Sequence, residues 1–277
     1  MKGNRDSNNH AKDMMTTDLR ACPVCGMSVM SGAHMVEHLG LQFLCCSLPC
    51  KQAFQQSPDM YVHMSTERIR EKNIELELIR RETVACLSRA AEYKDNETGK
   101  HNLRIATYSQ LLASLAGLPD EHVELIRETA PLHDVGKIGV PEKILLKPGP
   151  LNAEERSVIE KHSEIGASIL GKNSQSTLMT MASTIALTHH EKWNGEGYPR
   201  GLIGENIPIE GRIVAICDVF DALASVRPYK TSWPMMDIKD YLIAQQGKHF
   251  DPKLAQLFIQ NFKQFEEIYY QLEDGAR

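Results

Sequence analysis

The stretch that decides the fold is His133-Asp134-Val135-Gly136-Lys137, near the middle of a chain of 277 residues. A histidine followed directly by an aspartate places an imidazole nitrogen beside a carboxylate, and a carboxylate can bridge two cations. Such a pair also occurs by chance, usually on a surface or at a helix cap. It therefore predicts a metal centre only if the rest of the chain supplies further ligands.

Further ligands flank this pair on both sides. Glu97 and His101 are four residues apart at a predicted helix start, so they share one helix face. Asp218 interrupts an apolar helix, where a carboxylate needs a partner such as a cation. The candidate ligands are Glu97, His101, His133, Asp134, His162, His189, His190 and Asp218. Each alone is more often a core or surface residue, but the set is typical of an inward-facing multi-metal site in a helical bundle.

The C-terminal two thirds of the chain alternate helical stretches with punctuated loops, and strand signals are scarce. Helices are predicted over 83–95, 100–116, 120–134, 153–170, 174–190, 209–225, 235–246 and 252–272. Signals for helix ends are Gly117, the capping pair Asn152 and Glu155, and Asp251-Pro252. Pro131 is expected to kink its helix and to re-aim His133 and Asp134. The predicted fold is mainly α, an all-helical bundle.

Composition excludes several classes of protein. With a net charge of -5, the chain has no overall positive field that would favour a DNA or RNA polymer or an anionic lipid. No apolar run approaches the ~20 residues that a membrane span needs. The polar start, residues 1–13, lacks the apolar core of a signal peptide. The prediction is a cytoplasmic protein with no membrane partner and no DNA or RNA partner.

Cysteine is used unevenly, since five of the seven cysteines lie within 29 residues. In a reducing compartment such a cluster is more often a metal site than a disulfide framework. A Cys-x2-Cys pair followed by Cys-x3-Cys supplies four thiolates, the number that a closed tetrahedral zinc site takes. The candidate ligands are Cys22, Cys25, Cys46 and Cys50. A sensed metal and a redox role remain alternatives, and Cys86 and Cys217 are expected to be small core residues.

These observations predict four segments. Residues 1–20 are polar without apolar periodicity and are predicted to be disordered. Residues 21–63 form a small Cys-rich metal-binding module, 64–82 a connecting helix and 83–277 the bundle. The helical stretch has heptad-compatible apolar positions, among them Ile69 and Leu76. Two alternatives remain for the connecting helix, which either pairs in a homodimer or packs on its own domain.

Two resemblances to known families follow from these motifs. The segment 22–61 resembles YHS/TRASH-type metal-binding modules through Cys25-Gly26-Met27, Cys46, Cys50, Phe54, Pro58 and Tyr61. Residues 83–265 resemble the HD-GYP family of cyclic di-GMP phosphodiesterases. The matching motifs are Glu97–His101, His133–Lys137, His189–Pro199, Asp218–Leu223 and Arg227–Lys230. One departure is Asn194, where the family commonly has Asp.

The second resemblance implies an HD-type bundle in which the eight candidate ligands hold two or three iron or manganese ions. A carboxylate at Glu97 bears on whether a third metal binds. The resemblance also makes Arg227 and Lys230 contacts for the second phosphate of a symmetric ligand, for which the planar arginine fork is suited. Tyr198 is expected to support its loop or to pack near a base.

The chemistry itself supports such a site. A phosphodiester is anionic and resists attack, and metal ions supply both charge neutralisation and a water whose pKa falls to as little as ~7. Asp134 is the predicted bridging carboxylate, with a hydroxide between the same two metals as the nucleophile. Lys137 is predicted to contact the phosphate or to assist the leaving oxygen, and a solvated lysine is the alternative. Asp221 is expected to orient a ligand or Lys230.

The sequence therefore predicts a metal-dependent phosphodiesterase that hydrolyses cyclic di-GMP to linear pGpG, with GMP as a further product. The N-terminal module would regulate it through the helix that follows. Two alternatives remain: a catalytically silent effector that binds a cyclic dinucleotide, and a hydrolase of a mixed cyclic dinucleotide.

Overall fold

The computed structural model describes residues 21–29, 33–95, 99–171, 174–226 and 232–272. The predicted disordered segment, 1–20, lies outside these ranges. The elements are β1 (His34–His38), β2 (Leu41–Cys45), α1 (Leu48–Gln56), α2 (Pro58–Asp95), α3 (Gly99–Leu115), α4 (Asp120–Thr129), α5 (Glu142–Leu145), α6 (Ala153–Ile159), α7 (His162–Ile169), α8 (Thr177–Thr188), α9 (Ile209–Ala224), α10 (Met235–Ala244), α11 (Pro252–Gln260) and α12 (Phe262–Gln271). Short 3-10 helices cover Ala130–Leu132, Val135–Gly139 and Gly204–Asn206. The prediction of a mainly helical protein is confirmed.

The chain divides into two compact units, with the division between Arg80 and Arg81. This division falls inside α2, which runs without interruption from Pro58 and therefore begins six residues before the predicted connecting helix. Proline suits the first turn of a helix because its missing N–H has no helical partner there. The predicted limits of the four segments stay predictions.

The N-terminal unit contains a β-hairpin followed by α1. Strands β1 and β2 pair antiparallel, with His34 opposite Cys45 and His38 opposite Leu41. Leu39 and Gly40 both have positive φ, as a two-residue hairpin turn of the type I′ class requires. Ser47 caps α1 by accepting a hydrogen bond from the backbone N–H of Cys50. The end of β2 and the first turn of α1 thus bring Cys45, Cys46 and Cys50 close together.

The core of the C-terminal unit is built around α9. This helix packs against α3 and α8, and ten of its sixteen residues are buried. The ring of Phe220 lies in edge contact with Tyr108 and Phe258, at centroid distances of 5.2 and 5.1 Å. The metal-ligand candidate Asp218 is therefore carried on the most buried helix of the bundle.

Three predicted helices are divided in the structure. The predicted helix 120–134 ends at Thr129 and gives way to a 3-10 turn, because Pro131 cannot continue the backbone hydrogen bonding. The predicted helix 153–170 breaks after Ile159 and restarts at His162. The predicted helix 252–272 breaks at Asn261, whose side-chain amide donates to the carbonyl of Leu257.

The predicted helix caps are confirmed. Asn152 and Glu155 form a reciprocal capping box at the start of α6. Asp251 accepts from the backbone N–H groups of Lys253 and Leu254 at the start of α11. Gly117 follows α3 with a φ of 74°, which suits a glycine after a helix end.

One expectation about the core was wrong. Cys217 is buried on α9 as predicted, but Cys86 is exposed. Val84 and Ser88 are the buried residues in that turn of α2, so Cys86 lies on the opposite helix face. Among the described residues, the helices lack the combination of length and apolar character that crossing a bilayer requires.

Candidate metal centre

The structure brings seven of the eight predicted ligands together in the C-terminal unit. They form two groups, each with its ligand atoms within 4.8 Å of one another. The first group is Asp134, His162, His189 and His190, and the second is His101, His133 and Asp218. Glu97 lies outside the described residues, so its role as a ligand stays a prediction.

Asp134 lies between the two groups. Its Oδ1 is 3.2 Å from Nε2 of His162 and 3.6 Å from Nε2 of His189, which belong to the first group. Its Oδ2 is 3.3 Å from Nε2 of His133, in the second group. The two oxygens of one carboxylate therefore face different sets of ligands, as a bridging carboxylate requires.

Three of the histidines are oriented by the same local contact. The Nδ1 atoms of His133, His162 and His189 each lie 2.7–3.1 Å from the backbone carbonyl oxygen three residues earlier. A carbonyl oxygen can only accept, so Nδ1 carries a proton, and in the neutral form of each ring the lone pair is on Nε2. His133 and His189 directly follow the last residue of a helix, and His162 is the first residue of α7. The chain thus turns three Nε2 lone pairs toward one point.

These lone pairs make the site suited to a cation. Nε2 of His162 lies 3.5 Å from Nε2 of His189, and two lone pairs at that distance repel unless a proton or a metal lies between them. Nε2 of His133 and Oδ1 of Asp134 are buried and meet no group in hydrogen-bond geometry. Buried polar atoms are normally satisfied, so a metal ion fits this donor set.

The electrostatics agree with this fit. Burial opposes charge on His133, yet Asp134 and Asp218 raise its pKa to about 9, so the site attracts positive charge. Burial also disfavours the charged form of Asp134, but Lys137 and His133 hold its pKa well below the usual range. Burial, with the neighbouring His189 and His162, lowers the pKa of His190. A neutral His190 is in the state that a metal ligand needs.

His101 is held by residues beyond the two groups. Its Nδ1 lies 2.7 Å from Oδ2 of Asp221, and Arg104 donates to both oxygens of the same carboxylate, at 2.6 and 2.9 Å. Although burial opposes ionisation of Asp221, His101 and Arg104 lower its pKa to about 2. This arrangement fixes Nε2 of His101 toward the site, as carboxylate partners do for ligating histidines.

Arg104 was missed by the sequence analysis. Its side chain is 2% exposed, and a buried guanidinium requires a partner. Two features of the sequence could have identified Arg104. It interrupts the largely apolar stretch 103–106, and it follows His101 by three residues, which places it on the same helix face.

Lys137 is not a solvated surface lysine. Its side chain is 14% exposed, and its Nζ lies 2.7 Å from Oδ2 of Asp134. It also forms an ion pair with Asp95, at the end of α2. The ammonium group therefore lies beside the carboxylate that is shared by the two groups.

The loop after His190 is closed by Glu191, a residue that the sequence analysis did not single out. Glu191 is 2% exposed and accepts from the backbone N–H groups of Arg200 and Leu202, at 2.8 and 2.9 Å. Tyr198 packs its ring on His190, with centroids 4.7 Å apart, which agrees with a supporting role. Asn194 donates to Glu196 and is in neither ligand group.

Gly136 determines how closely α7 approaches the His-Asp pair. A Cβ at this position would lie 1.9 Å from the carbonyl oxygen of His162 and 2.4 Å from the backbone N of Gly166. Neither backbone atom can move without shifting α7. Glycine is therefore required for His162 to reach Asp134.

We expect Gly136→Ala to lower the free energy of unfolding by about 1–3 kcal/mol, because overpacking forces a backbone shift. Metal content should fall as His162 moves away. Gly139→Ala is the matched control, since its Cβ would meet the flexible side chain of Ile165 at 2.9 Å. Denaturant unfolding and metal analysis would measure both effects, and equal losses in the two variants would contradict the prediction.

The N-terminal unit contains a third group of ligands. The sulfur atoms of Cys22, Cys25, Cys46 and Cys50 lie within 4.8 Å of one another. The separation is 3.4 Å from Cys25 to Cys46 and 3.7 Å from Cys46 to Cys50. Tetrahedral zinc with bonds of about 2.3 Å would separate its sulfurs by about 3.8 Å, close to this spacing.

The backbone favours the thiolate form at one of these positions. Burial would raise the pKa of Cys22, but backbone N–H groups, those of Cys25 and Cys46 first, lower it to about 6. Cys45, outside the group, has its pKa raised to about 11 by burial. Cys46, inside the group, also has a raised pKa, of about 12, chiefly through its contact with the thiol of Cys25. The lowered pKa therefore favours a thiolate at Cys22 and does not separate the whole ligand group from Cys45.

Arg227 and Lys230, the predicted contacts of a second phosphate, lie outside the described residues. Their roles stay predictions.

Comparison with known proteins identifies the family. The HD domain family matches residues 85–254, more than half of the chain. The chain therefore belongs to the HD domain family. A crystal structure of a cyclic GMP-AMP specific phosphodiesterase from Vibrio cholerae shares the fold, with a TM-score of 0.52 and 18% identity over 70% of this chain and 51% of that one.

Two curated relatives are more similar in sequence. The 3′3′-cGAMP-specific phosphodiesterase 2 of Vibrio cholerae serotype O1 is 46% identical over 201 residues, which are 73% of this chain and 38% of the relative. The cyclic di-GMP phosphodiesterase response regulator RpfG of Xanthomonas campestris pv. campestris is 45% identical over 194 residues, 70% of this chain and 51% of the relative. The chain thus spans about half or less of the length of these relatives.

Proposed function

We propose that the chain is a metal-dependent phosphodiesterase of the HD-GYP type, and that it hydrolyses cyclic di-GMP. The observation that carries the proposal is the position of Asp134, whose two oxygens face two separate groups of histidine and carboxylate ligands. The name of the Xanthomonas relative, a cyclic di-GMP phosphodiesterase, supports this substrate. Water would add across one phosphodiester bond to give linear pGpG, and a second cut would give GMP.

Two or three iron or manganese ions would be held by the seven described ligands and Glu97, and would supply Lewis-acid stabilisation and an activated water. Asp134 would bridge the two groups. Four of the five histidines need no reorientation, because backbone carbonyls and Asp221 already direct the Nε2 atoms of His101, His133, His162 and His189 inward. The chain's contribution is a preorganised set of donors.

The remaining polar residues would bind the substrate. Lys137 carries its ammonium group beside Asp134, where it would neutralise a phosphoryl oxygen or the leaving oxygen. Tyr198 would hold His190 in place through the contact between their rings. The same side chain would lie near a base of the bound substrate. Arg227 and Lys230 would contact the second phosphate of the symmetric ligand.

The test is a turnover assay with the purified chain loaded anaerobically with iron or manganese. We expect cleavage of cyclic di-GMP to pGpG, with metal content measured on the same sample. Full metal occupancy without cleavage of any cyclic dinucleotide would contradict the proposal. Binding without cleavage would then favour the silent effector.

A second candidate substrate is a mixed cyclic dinucleotide. The Vibrio relative with 46% identity is named a 3′3′-cGAMP-specific phosphodiesterase. A panel of cyclic di-GMP, 3′3′-cGAMP and cyclic di-AMP, compared by kcat/KM on one preparation, would decide between the candidates. A higher value for 3′3′-cGAMP would assign the chain to the mixed substrate.

We further propose that Cys22, Cys25, Cys46 and Cys50 hold a zinc ion in a YHS/TRASH-like module. Their sulfur spacing and the low pKa of Cys22 support a thiolate site. The module would regulate hydrolysis through α2, the helix that contains the division between the two units.

Substitution of Cys46 tests this regulation. We expect Cys46→Ser to remove zinc from the N-terminal unit and to change the hydrolysis rate, because three thiolates no longer close a tetrahedral site. Cys86→Ser is the control, since this thiol is exposed and outside the ligand group. Unchanged folding, oligomeric state and activity in Cys46→Ser would rule out the coupling.

The proposed partner for α2 is a second copy of the chain. Its exposed apolar residues include Ile69, Leu76 and Ile79, at 39%, 63% and 53% exposure. Heptad-related apolar positions of this kind are typical of paired helices. Sedimentation of the intact chain would show whether it is a dimer.

A further inference from the structure

The ammonium group of Lys137 lies between two carboxylates. One is Asp134, with Oδ2 at 2.7 Å, and the other is Asp95, in an ion pair with the same Nζ. Asp95 is the last residue of α2 and is 42 positions away in sequence. The side chains of Lys137 and Asp95 are only 14% and 16% exposed. Their contact is therefore shielded from solvent and is stronger than an ordinary surface pair.

Metal binding would affect the contacts of the two carboxylates with Lys137 differently. Asp134 faces both ligand groups, so cations would withdraw its oxygens from Lys137. Asp95 is in neither ligand group and would keep its contact with the ammonium group. It would hold the positive charge next to the metal centre while Asp134 serves as a ligand.

We propose that Asp95 is a positioning residue for the hydrolysis, acting through Lys137. This inference rests on the proposed function. Asp95 fixes the ammonium group where charge develops on the phosphoryl and leaving oxygens, so its contribution is made mainly in the transition state. The end of α2 thereby becomes part of the support of the catalytic site.

The test compares Asp95→Asn and Asp95→Glu with the unmodified chain, each loaded with the same metal. We expect Asp95→Asn to lower kcat by about 10- to 100-fold, as loss of a supporting partner does, while KM changes little. Asp95→Glu keeps the carboxylate and should recover part of kcat. Asp240→Asn, at an exposed position, is the control and should leave both constants unchanged.

A second measurement does not depend on activity. In metal-free protein, the unfolding free energies of Asp95→Asn, Lys137→Met and the double variant form a cycle. We expect the double variant to be less destabilised than the sum of the single variants, because either substitution alone removes the same contact. Additive effects would overturn the proposal.

Two further outcomes would also overturn it. An unchanged kcat in Asp95→Asn would show that Lys137 needs no second carboxylate. Loss of metal in this variant would make Asp95 a ligand rather than a positioning residue. If the unmodified chain cleaves no cyclic dinucleotide, the proposed function fails, and the unfolding cycle by itself still decides whether Asp95 holds Lys137.

Discussion

Replacement of Asp134 by Asn is expected to lower kcat by about 1,000-fold or more and to reduce the metal content of the C-terminal unit. Asn has nearly the same shape, but it lacks the negative charge and has one oxygen instead of two. The amide cannot serve two ligand groups at once, whereas the carboxylate oxygens face His162 on one side and His133 on the other. Metal ions contribute several kcal/mol to such reactions, and each 1.36 kcal/mol is tenfold in rate.

The measurement combines steady-state kinetics with metal analysis of the same protein. Asp237→Asn is the matched control, because this aspartate is exposed on α10 and outside the ligand groups. Lys137 loses a partner in Asp134→Asn, so unfolding should also be followed. A variant that keeps both its metal and its rate would show that Asp134 bridges nothing.

Asp221→Ala is expected to lower the free energy of unfolding by about 3–5 kcal/mol, the usual result of removing one partner of a buried ion pair. Arg104, whose side chain is 2% exposed, would lose both carboxylate oxygens that accept its hydrogen bonds. His101 would also lose the acceptor of its Nδ1 proton. We expect metal affinity to fall about 10- to 100-fold for that reason.

A double substitution separates these two roles. Asp221→Leu combined with Arg104→Met replaces the ion pair by apolar side chains, which is often neutral or stabilising. Stability should then recover while metal affinity stays low, because His101 still lacks its acceptor. Denaturant unfolding and metal titration would give the two quantities. Recovery of both, or of neither, would contradict the division of roles.

The sequence predicts much of this centre because its ligands come from short local motifs. His133 and Asp134 are adjacent, and so are His189 and His190, so no knowledge of the tertiary structure is needed to single them out. The helix caps are equally local, as at Asn152. A polar residue in an apolar helix is also a local signal, and it identified Asp218.

The remaining features depend on contacts between distant segments. Arg104 and Asp221 are 117 residues apart in sequence, and Lys137 and Asp95 are 42 apart. Residues at such separations do not form a short motif, so the sequence does not predict that they are in contact. The break between α6 and α7 contains no proline or glycine that would predict it. Glu160 and Lys161 keep right-handed helical dihedrals, so this break interrupts hydrogen bonds rather than the course of the chain.

The contact of Nδ1 with the carbonyl three residues earlier, made by His133, His162 and His189, has a consequence for metal selection. The backbone fixes these rings. The entropy cost of ordering them is therefore incurred when the chain folds and not when a metal ion binds. Such a centre fixes the spacing of its donors but not the identity of the ion, since imidazole suits several divalent metals. We therefore expect iron and manganese to exchange without movement of the rings, and the supply of ions during growth to decide which one is found.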